Sequence, residues 1–224
     1  LVQRHQIFHG SQKVHVAKSG GEGGARLCGR ACYSCPAMNT STALDTLLSR
    51  YSLGVKHLTE PAPDTAQLQA MVAAALRAPD HAELVPFRLV VVRGAARDRL
   101  ADLFAEHAQR KGKDAEGVAM ERERALRAPV TVAVLARIDL GHPLVPAHEQ
   151  WMCVGGAVTN FLNAAHALGF AGKMLSGDKA RAPHIAQAFC EPGETLVGWI
   201  ALGTPTRTPH GEARKDATQA LRFW

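Results

Sequence analysis

The chain has 224 residues, 46% hydrophobic and 21% charged, which is ordinary globular composition with enough length for one sizeable core. Its formal charge of +6 is unevenly placed: residues 1–37 hold five Lys/Arg against one acidic residue, leaving 21 against 19 in the rest. The basicity therefore gives no case for a nucleic-acid partner, interleaved aromatics for base stacking are missing, and no apolar run reaches the roughly 18 residues of a membrane span.

Residues 1–37 contain Gly20-Gly21-Glu22-Gly23-Gly24, scattered histidines and basic residues, and no helical or strand period. They are expected to be a disordered or non-native extension, with Met38 as a natural start. No apolar h-region follows their charges, as a signal peptide would require. From Asn39 the pattern becomes regular. Thr40 or Ser41 caps a helix carrying Leu44, Leu47 and Leu48. Pro61 and Pro63 mark a loop. Asp64 then caps a second helix, with Gln67 as the return half of a capping box. Its apolar face is Leu68, Met71, Val72, Ala75 and Leu76, and Pro79 ends it. Leu89–Val92 is predicted to be a short buried strand bounded by Gly94. Ala95–Lys111 follows as a helix with Leu100, Leu103 and Phe104 inward, and Asp114–Arg127 as a charged helix. Val130–Leu135 is a second buried strand. Glu149–Leu168 is the longest helix, apolar nearly all round and containing Gly155 and Gly156; such a helix belongs in a core or at a subunit interface. Gly169 stops it. A short helix around Ile185–Phe189 and a strand at Leu196–Leu202 complete an α+β pattern, one domain over residues 38–224 without internal repeats.

Three constellations could carry chemistry. Arg50-Tyr51-Ser52 with Lys56 offers a guanidinium fork, a hydroxyl and a point charge that can grip a phosphate. A solvated helix end whose cations complement the dipole accounts for the same residues. Arg77-Ala78-Pro79-Asp80-His81, followed by Pro86-Phe87-Arg88, is a helix end, a rigid loop and a strand entry. Such a place can present Arg77 and His81 to a ligand, or can be a plain helix stop. In Gly172-Lys173-Met174-Leu175-Ser176-Gly177 the glycines allow backbone to approach a planar ligand, Met174 and Leu175 can pack on a ring, and Ser176 can bond its edge. An ordinary turn into a strand has the same composition.

In chain order these motifs are Arg50 to Ser52, Glu60 to Pro63, Arg77 to His81, Pro86 to Arg88, Glu149-Gln150, Ser176-Gly177 and Leu202 to Pro205. Their ordered combination resembles the flavin-dependent nitroreductase family, in particular its short stand-alone YdjA-type branch. It covers almost all of residues 38–224 and nothing before them. The resemblance implies an α+β fold with a central, mostly antiparallel sheet flanked by helices, and an intertwined homodimer with FMN in a groove at the subunit interface. It implies that Arg50, Tyr51 and Ser52 hold the phosphate and ribityl end of FMN. Arg77 and His81 would reach in from the partner subunit, Met174, Leu175 and Ser176 would line the isoalloxazine, and the long helix would form much of the dimer core. The activity it implies is cytoplasmic reduction of nitro compounds or similar small electron-poor acceptors by NADH or NADPH. NAD(P)H would give hydride to the flavin and leave before the acceptor takes its place, with no catalytic side chain. The family pattern has a second Arg where Tyr51 stands and Trp-Arg where Met174-Leu175 stand, and a shorter loop between Ser52 and Glu60. Fewer cations weaken the grip on an anionic cofactor and disfavour reduced, anionic flavin. A non-catalytic or degenerate flavin-binding dimer is therefore the alternative.

Other signals are weaker. Cys28, Cys32 and Cys35 have the spacing with which radical-SAM enzymes bind a cluster, but the residues that follow fit another fold, so chance within the tail is the plainer account. Cys153 and Cys190 are expected as small hydrophobes in helical stretches. His148-Glu149-Gln150-Trp151 lacks the second His of a zinc motif, and Gly20–Gly24 follows no strand, as a dinucleotide fingerprint would. Arg122–Arg127 is expected to be a solvated helix face, with lid duty over the flavin as the lesser reading.

Overall fold

One strand, β5 (Glu194–Pro205), joins the rest of the sheet. The computed structural model describes residues 40–208 and 216–224, so the expectations for residues 1–37 and their cysteines lie outside the described residues. Along one side β5 pairs with β3 (Val130–Arg137), which pairs in turn with the edge strand β2 (Phe87–Val92). Along its other side lie β4 (Ala171–Leu175) and, further on, β1 (Leu58–Thr59). Every ladder is antiparallel.

Alternation along these strands builds two cores. Val130, Val132, Val134, Ile200 and Leu202 face α2 (Thr65–Ala75) and α5 (Ala147–Ala167), meeting Leu68, Met71, Val154, Ala157 and Phe161. Ala133, Leu135, Leu196 and Trp199 face the other way, onto α3 (Ala96–Arg110), α4 (Ala115–Leu126) and α6 (Pro183–Gln187) through Leu100, Ala101, Ala125 and Ile185. A strand covered on both faces reads as a continuous apolar run, which is why β3 shows no polar alternation. A small third cluster, Leu53, Leu58, Ala128, Ala171 and Ala201, packs under Tyr51, Val55 and Leu175. None of the helices among the described residues is long and apolar enough to cross a membrane.

The expected helices are present. Asp64 accepts from Gln67 N at 2.8 Å and gives its own N–H to Gln67 Oε1 at 2.9 Å, the complete capping box. α1 runs over Thr40–Ser49, so Thr40 and Ser41 lie inside the helix instead of capping it, and the residue before them lies outside the described residues. Four further details differ from the sequence expectation. The Gly172 stretch is strand β4 and not a turn, because its glycine serves packing: a Cβ there would lie 2.8 Å from Leu162 Cδ2. β1 has only two residues, too few to carry a period. Cys190 follows α6 in a loop instead of lying in a helix. Finally, the apolar faces of the first two helices are not fully covered. Leu44, Leu47 and Leu48 are 56%, 52% and 55% exposed, and Leu76, Trp151 and Met152 also face outward.

The pairing of β3 with β5 slips between Val134 and Leu135, opposite Gly198. That glycine has φ +151°, and a Cβ on it would lie 2.2 Å from the Leu175 carbonyl oxygen. A side chain at 198 therefore forces β4 off β5. Gly198→Ala is expected to lower stability by about 2–3 kcal/mol, read as a fall in the urea midpoint with unchanged slope. A midpoint equal to wild type would show that β4 is free to yield.

Candidate functional site

The first and third constellations come together. Beyond α1 the chain turns alongside β4, and Ser52 forms an isolated parallel bridge with Gly172. Leu53 is buried beneath this crossing, and Tyr51 and Leu175 pack on the same small cluster. Arg50 is partly buried, and its Nη1 is a buried nitrogen with no hydrogen-bond partner among the described residues. Such an atom normally finds an acceptor, because leaving it unpaired costs about 1–3 kcal/mol. Ser52 and Ser176 keep exposed hydroxyls, and Met174 and Leu175 are half-buried.

Two residues that motif reasoning passed over stand beside this group. His166, in the last turn of α5, takes the Tyr51 ring edge-on at 5.7 Å between centroids and 73°, and its Nε2 lies 3.0 Å from Ser49 Oγ. Burial and the charge of Arg50 hold its imidazole below the ordinary range. Arg207, just past β5, joins Lys56 about His57, whose imidazole is lowered by desolvation and by both charges. The link is the return of β5: Thr206 N donates to the His57 carbonyl at 2.9 Å.

The second constellation is built elsewhere on the chain. Arg77 is exposed just past α2. His81 Nδ1 lies 2.7 Å from Glu149 Oε2 in the first turn of α5. The loop that follows holds three non-glycine residues at positive φ, Ala82, Glu83 and Val85 (61°, 53° and 47°), with Asp80 Oδ2 accepting from Val85 N at 2.7 Å. Backbone held this way against its preference is found where surrounding structure over-determines it. Gly156 is part of that surrounding, since a Cβ there would meet Ala78 Cβ at 3.2 Å. No interaction among the described residues joins Arg77 or His81 to the Arg50 group. Two other motif residues have architectural work. Gln150 is buried and binds the backbone of Asp139 and Val145 at 2.8–2.9 Å. Arg88 grips Glu194 with two bonds, at 2.7 and 2.6 Å, and this holds the Glu194 carboxyl at about 2.

Between β4, β5 and the α3–α4 pair lies a cavity of about 300 Å³, with Val55, Phe104, Leu175, Ser176 and Trp199 in its wall. Glu121 of α4, only 3% exposed, sits in the same wall. Lys113 Nζ and Arg124 Nη1 each lie 2.7 Å from its Oε1. Lys179 Nζ is 2.9 Å from Oε2, an ion-pair distance, although its alignment falls outside a hydrogen bond. Burial opposes ionisation of this carboxyl, but the lysines and Arg124 outweigh it and hold it at about 2. Lys179 also lies over the Phe104 ring at 5.1 Å, and its neighbour Asp178 meets His107 Nε2 at 3.0 Å. The segment after Ser176 is thus clamped to the helix pair. The arginines of this face are solvated, as expected: Arg122 pairs with Asp102 at 3.1 Å, and Arg124 and Arg127, both exposed, stand at the wall of the cavity.

Against known proteins, residues 47–204 match the family model described as the nitroreductase family. The chain is 37% identical over 164 residues to the protein named as the NAD(P)H nitroreductase YdjA of Escherichia coli K12, covering 73% of this chain and 88% of that one. It is 31% identical over 173 residues to one named as an NAD(P)H nitroreductase of Haemophilus influenzae, covering 77% and 93%. Among solved structures, a nitroreductase-like family protein from Bacillus cereus aligns with a TM-score of 0.69 at 20% identity, over 81% of this chain and 95% of that one. The FMN-dependent nitroreductase NfnB from Mycobacterium smegmatis, in complex with NADPH, gives 0.64 at 18%, over 83% and 100%. These likenesses establish the fold.

Glu121 yields a pH-dependent expectation. Its folded-state value of about 2 lies below its ordinary 4.5, so its contribution is complete above the ordinary value and is lost as pH falls towards 2. Glu121→Gln should cost about 2 kcal/mol at pH 7, and the gap to wild type should close between roughly pH 5 and pH 2. Urea unfolding at pH 7, 4.5 and 3 measures this. A gap of constant size would assign the loss to packing and not to charge.

Proposed function

The chain belongs to the nitroreductase family, and from that premise we propose that it is an FMN-dependent oxidoreductase. It draws electrons from NADH or NADPH and passes them to nitro compounds or similar small electron-poor acceptors. Two relatives at 37% and 31% identity carry names that specify NAD(P)H and nitroreduction, which supports the reductant and the acceptor class. The observation that carries the cofactor assignment is the buried Nη1 of Arg50, which has no hydrogen-bond partner among the described residues, because a phosphate oxygen is an acceptor that would supply one.

The residues present fit FMN. Arg50 and Ser52 would hold its phosphate and ribityl end, with Tyr51 beside them, and Lys56 and Arg207 add positive charge near the same end of the sheet. Met174 and Leu175 would give the isoalloxazine an apolar surface, and Ser176 a hydroxyl. Bound FMN supplies the two-electron chemistry that neither substrate can perform on the other unaided. The chain's part is to orient the ring, keep water from it and leave room for one substrate at a time, so the kinetics are ping-pong and no side chain acts as acid or base. Arg77 and His81 complete the site from the partner subunit of a homodimer. The outward Leu44, Leu47 and Leu48 of α1 and Trp151 and Met152 of α5 are the kind of surface a second copy would cover.

The second reading is a flavin-binding dimer without turnover. It is favoured by the apolar Leu175 side chain, which brings no cation to the ring. Purified protein is expected to be yellow, to bleach anaerobically with NADH or NADPH, and to recolour on adding a nitroaromatic acceptor. A flavin that stays oxidised under excess nicotinamide supports the second reading, and a colourless protein that takes up no FMN defeats both. Arg50→Ala should weaken FMN binding at least about tenfold.

The homodimer has its own test. A Cβ at Gly155 meets nothing within 4 Å in the single chain, and the residue is exposed on α5. Gly155→Leu should therefore leave one chain's packing intact but halve the mass by light scattering. An unchanged dimer mass would move the interface off this face.

A further inference from the structure

His166 is left unexplained by the site as described. Its contacts are Ser49 Oγ, 3.0 Å from Nε2, and the edge-on Tyr51 ring, so the imidazole lies against the two residues that flank Arg50. Ser49 Oγ is also 3.2 Å from the Thr46 carbonyl. With its one proton donated there, the hydroxyl accepts from Nε2–H, a bond that survives whether the ring is neutral or charged. The charged form therefore costs nothing in contacts.

Resting on the FMN assignment, we propose that His166 is a further cofactor-binding residue: it supplies a second positive charge beside Arg50 to the phosphate of FMN and takes up a proton as that phosphate arrives. Without an anion, burial and Arg50 disfavour the charged ring. A phosphate on Arg50 cancels that repulsion and adds an attraction of its own, so the imidazolium becomes the favoured form. The other groups near α5 do not interfere. Lys173 is the only titratable residue of β4, and strand alternation points it away from the α5 face that Gly172 and Met174 meet. α2 has no titratable residue, and Arg137 of β3 is bound to Glu191 and Glu194. Asp45, one turn before Ser49 on α1, is exposed, and among the charged groups of the described residues only Arg50 weighs on the ring.

The test is FMN titration of the full-length chain, freed of flavin by dialysis, for wild type and His166→Gln at pH 6.0 and pH 8.5. Riboflavin, which lacks the phosphate, is the control. FMN's own phosphate titrates near pH 6, so the variants are compared at each pH. The expected result is an affinity about fivefold weaker for the variant at pH 6.0, equal affinities at pH 8.5, and no difference with riboflavin. A second measurement needs no variant. Calorimetry of wild type with FMN at pH 7.0, in buffers of different ionisation enthalpy, should show net proton uptake, whereas titration of the phosphate alone gives release. Equal affinities at both pH values, an equal loss at both, or proton release would overturn the role of His166 while leaving the cofactor assignment intact. Wild type that takes up no FMN at either pH would remove the assignment itself, and this inference with it.

Discussion

Two missing side chains allow β4 to lie where it does. At 172 a Cβ would run into Leu162, and at 198 into the backbone of Leu175. With hydrogen at both positions, β4 settles between α5 and β5 closely enough for Ser52 to bridge to it. That bridge sets the spacing between Arg50 on one side and Leu175 and Ser176 on the other. The position of every residue in this group thus follows from how nearly two backbones can approach.

The charged groups divide by whether their partners come from the chain itself. Arg88 and Glu194, and Glu121 with its cations, are closed sets that tie elements together. Their shifted carboxyls report architecture, for perturbed titration is a feature of structural ion pairs as well as of reactive sites. Arg50 is different: it is partly buried, and its Nη1 is a buried nitrogen with no hydrogen-bond partner among the described residues. Arg97 Nε and Trp199 Nε1 are also buried without a partner among the described residues, but Arg50 is the one of these that stands beside Ser52 where it bridges to β4. It therefore points to a ligand there more strongly than the paired cluster around Glu121.

Local rules in the sequence were legible wherever they closed within a few residues. The Asp64–Gln67 box, the Pro79 stop and the run of apolar residues in β3 needed no knowledge of the rest of the chain. The leucines of α1 gave a correct helix but not the location of what covers them, since a period reports a face and not its partner. β4 was hidden because Gly172 carries the signature of a turn while serving a contact with α5. The ordered motifs carried the family, yet they could not separate Ser52, which lies in the site group, from Gln150 and Arg88, which hold loops and strands. Glu121 gave no signal of its own, because Lys113 and Lys179, which pair with its carboxylate, both lie outside α4. His166 and Arg207 were silent for the same reason: each becomes informative only through a neighbour more than a hundred residues away.

The sheet also has an order of assembly written into its connectivity. β5 is the last strand among the described residues, yet β1, β3 and β4 all hydrogen-bond to it. While residues 40 to 193 are being synthesised, the helices can form, but β3 has only β2 beside it and both apolar faces of the sheet lack their middle. The nascent chain must therefore keep an uncovered, strongly apolar strand out of contact with others until Pro205 has cleared the ribosome. A topology whose most connected strand arrives last is rich in non-local pairings, which slow folding.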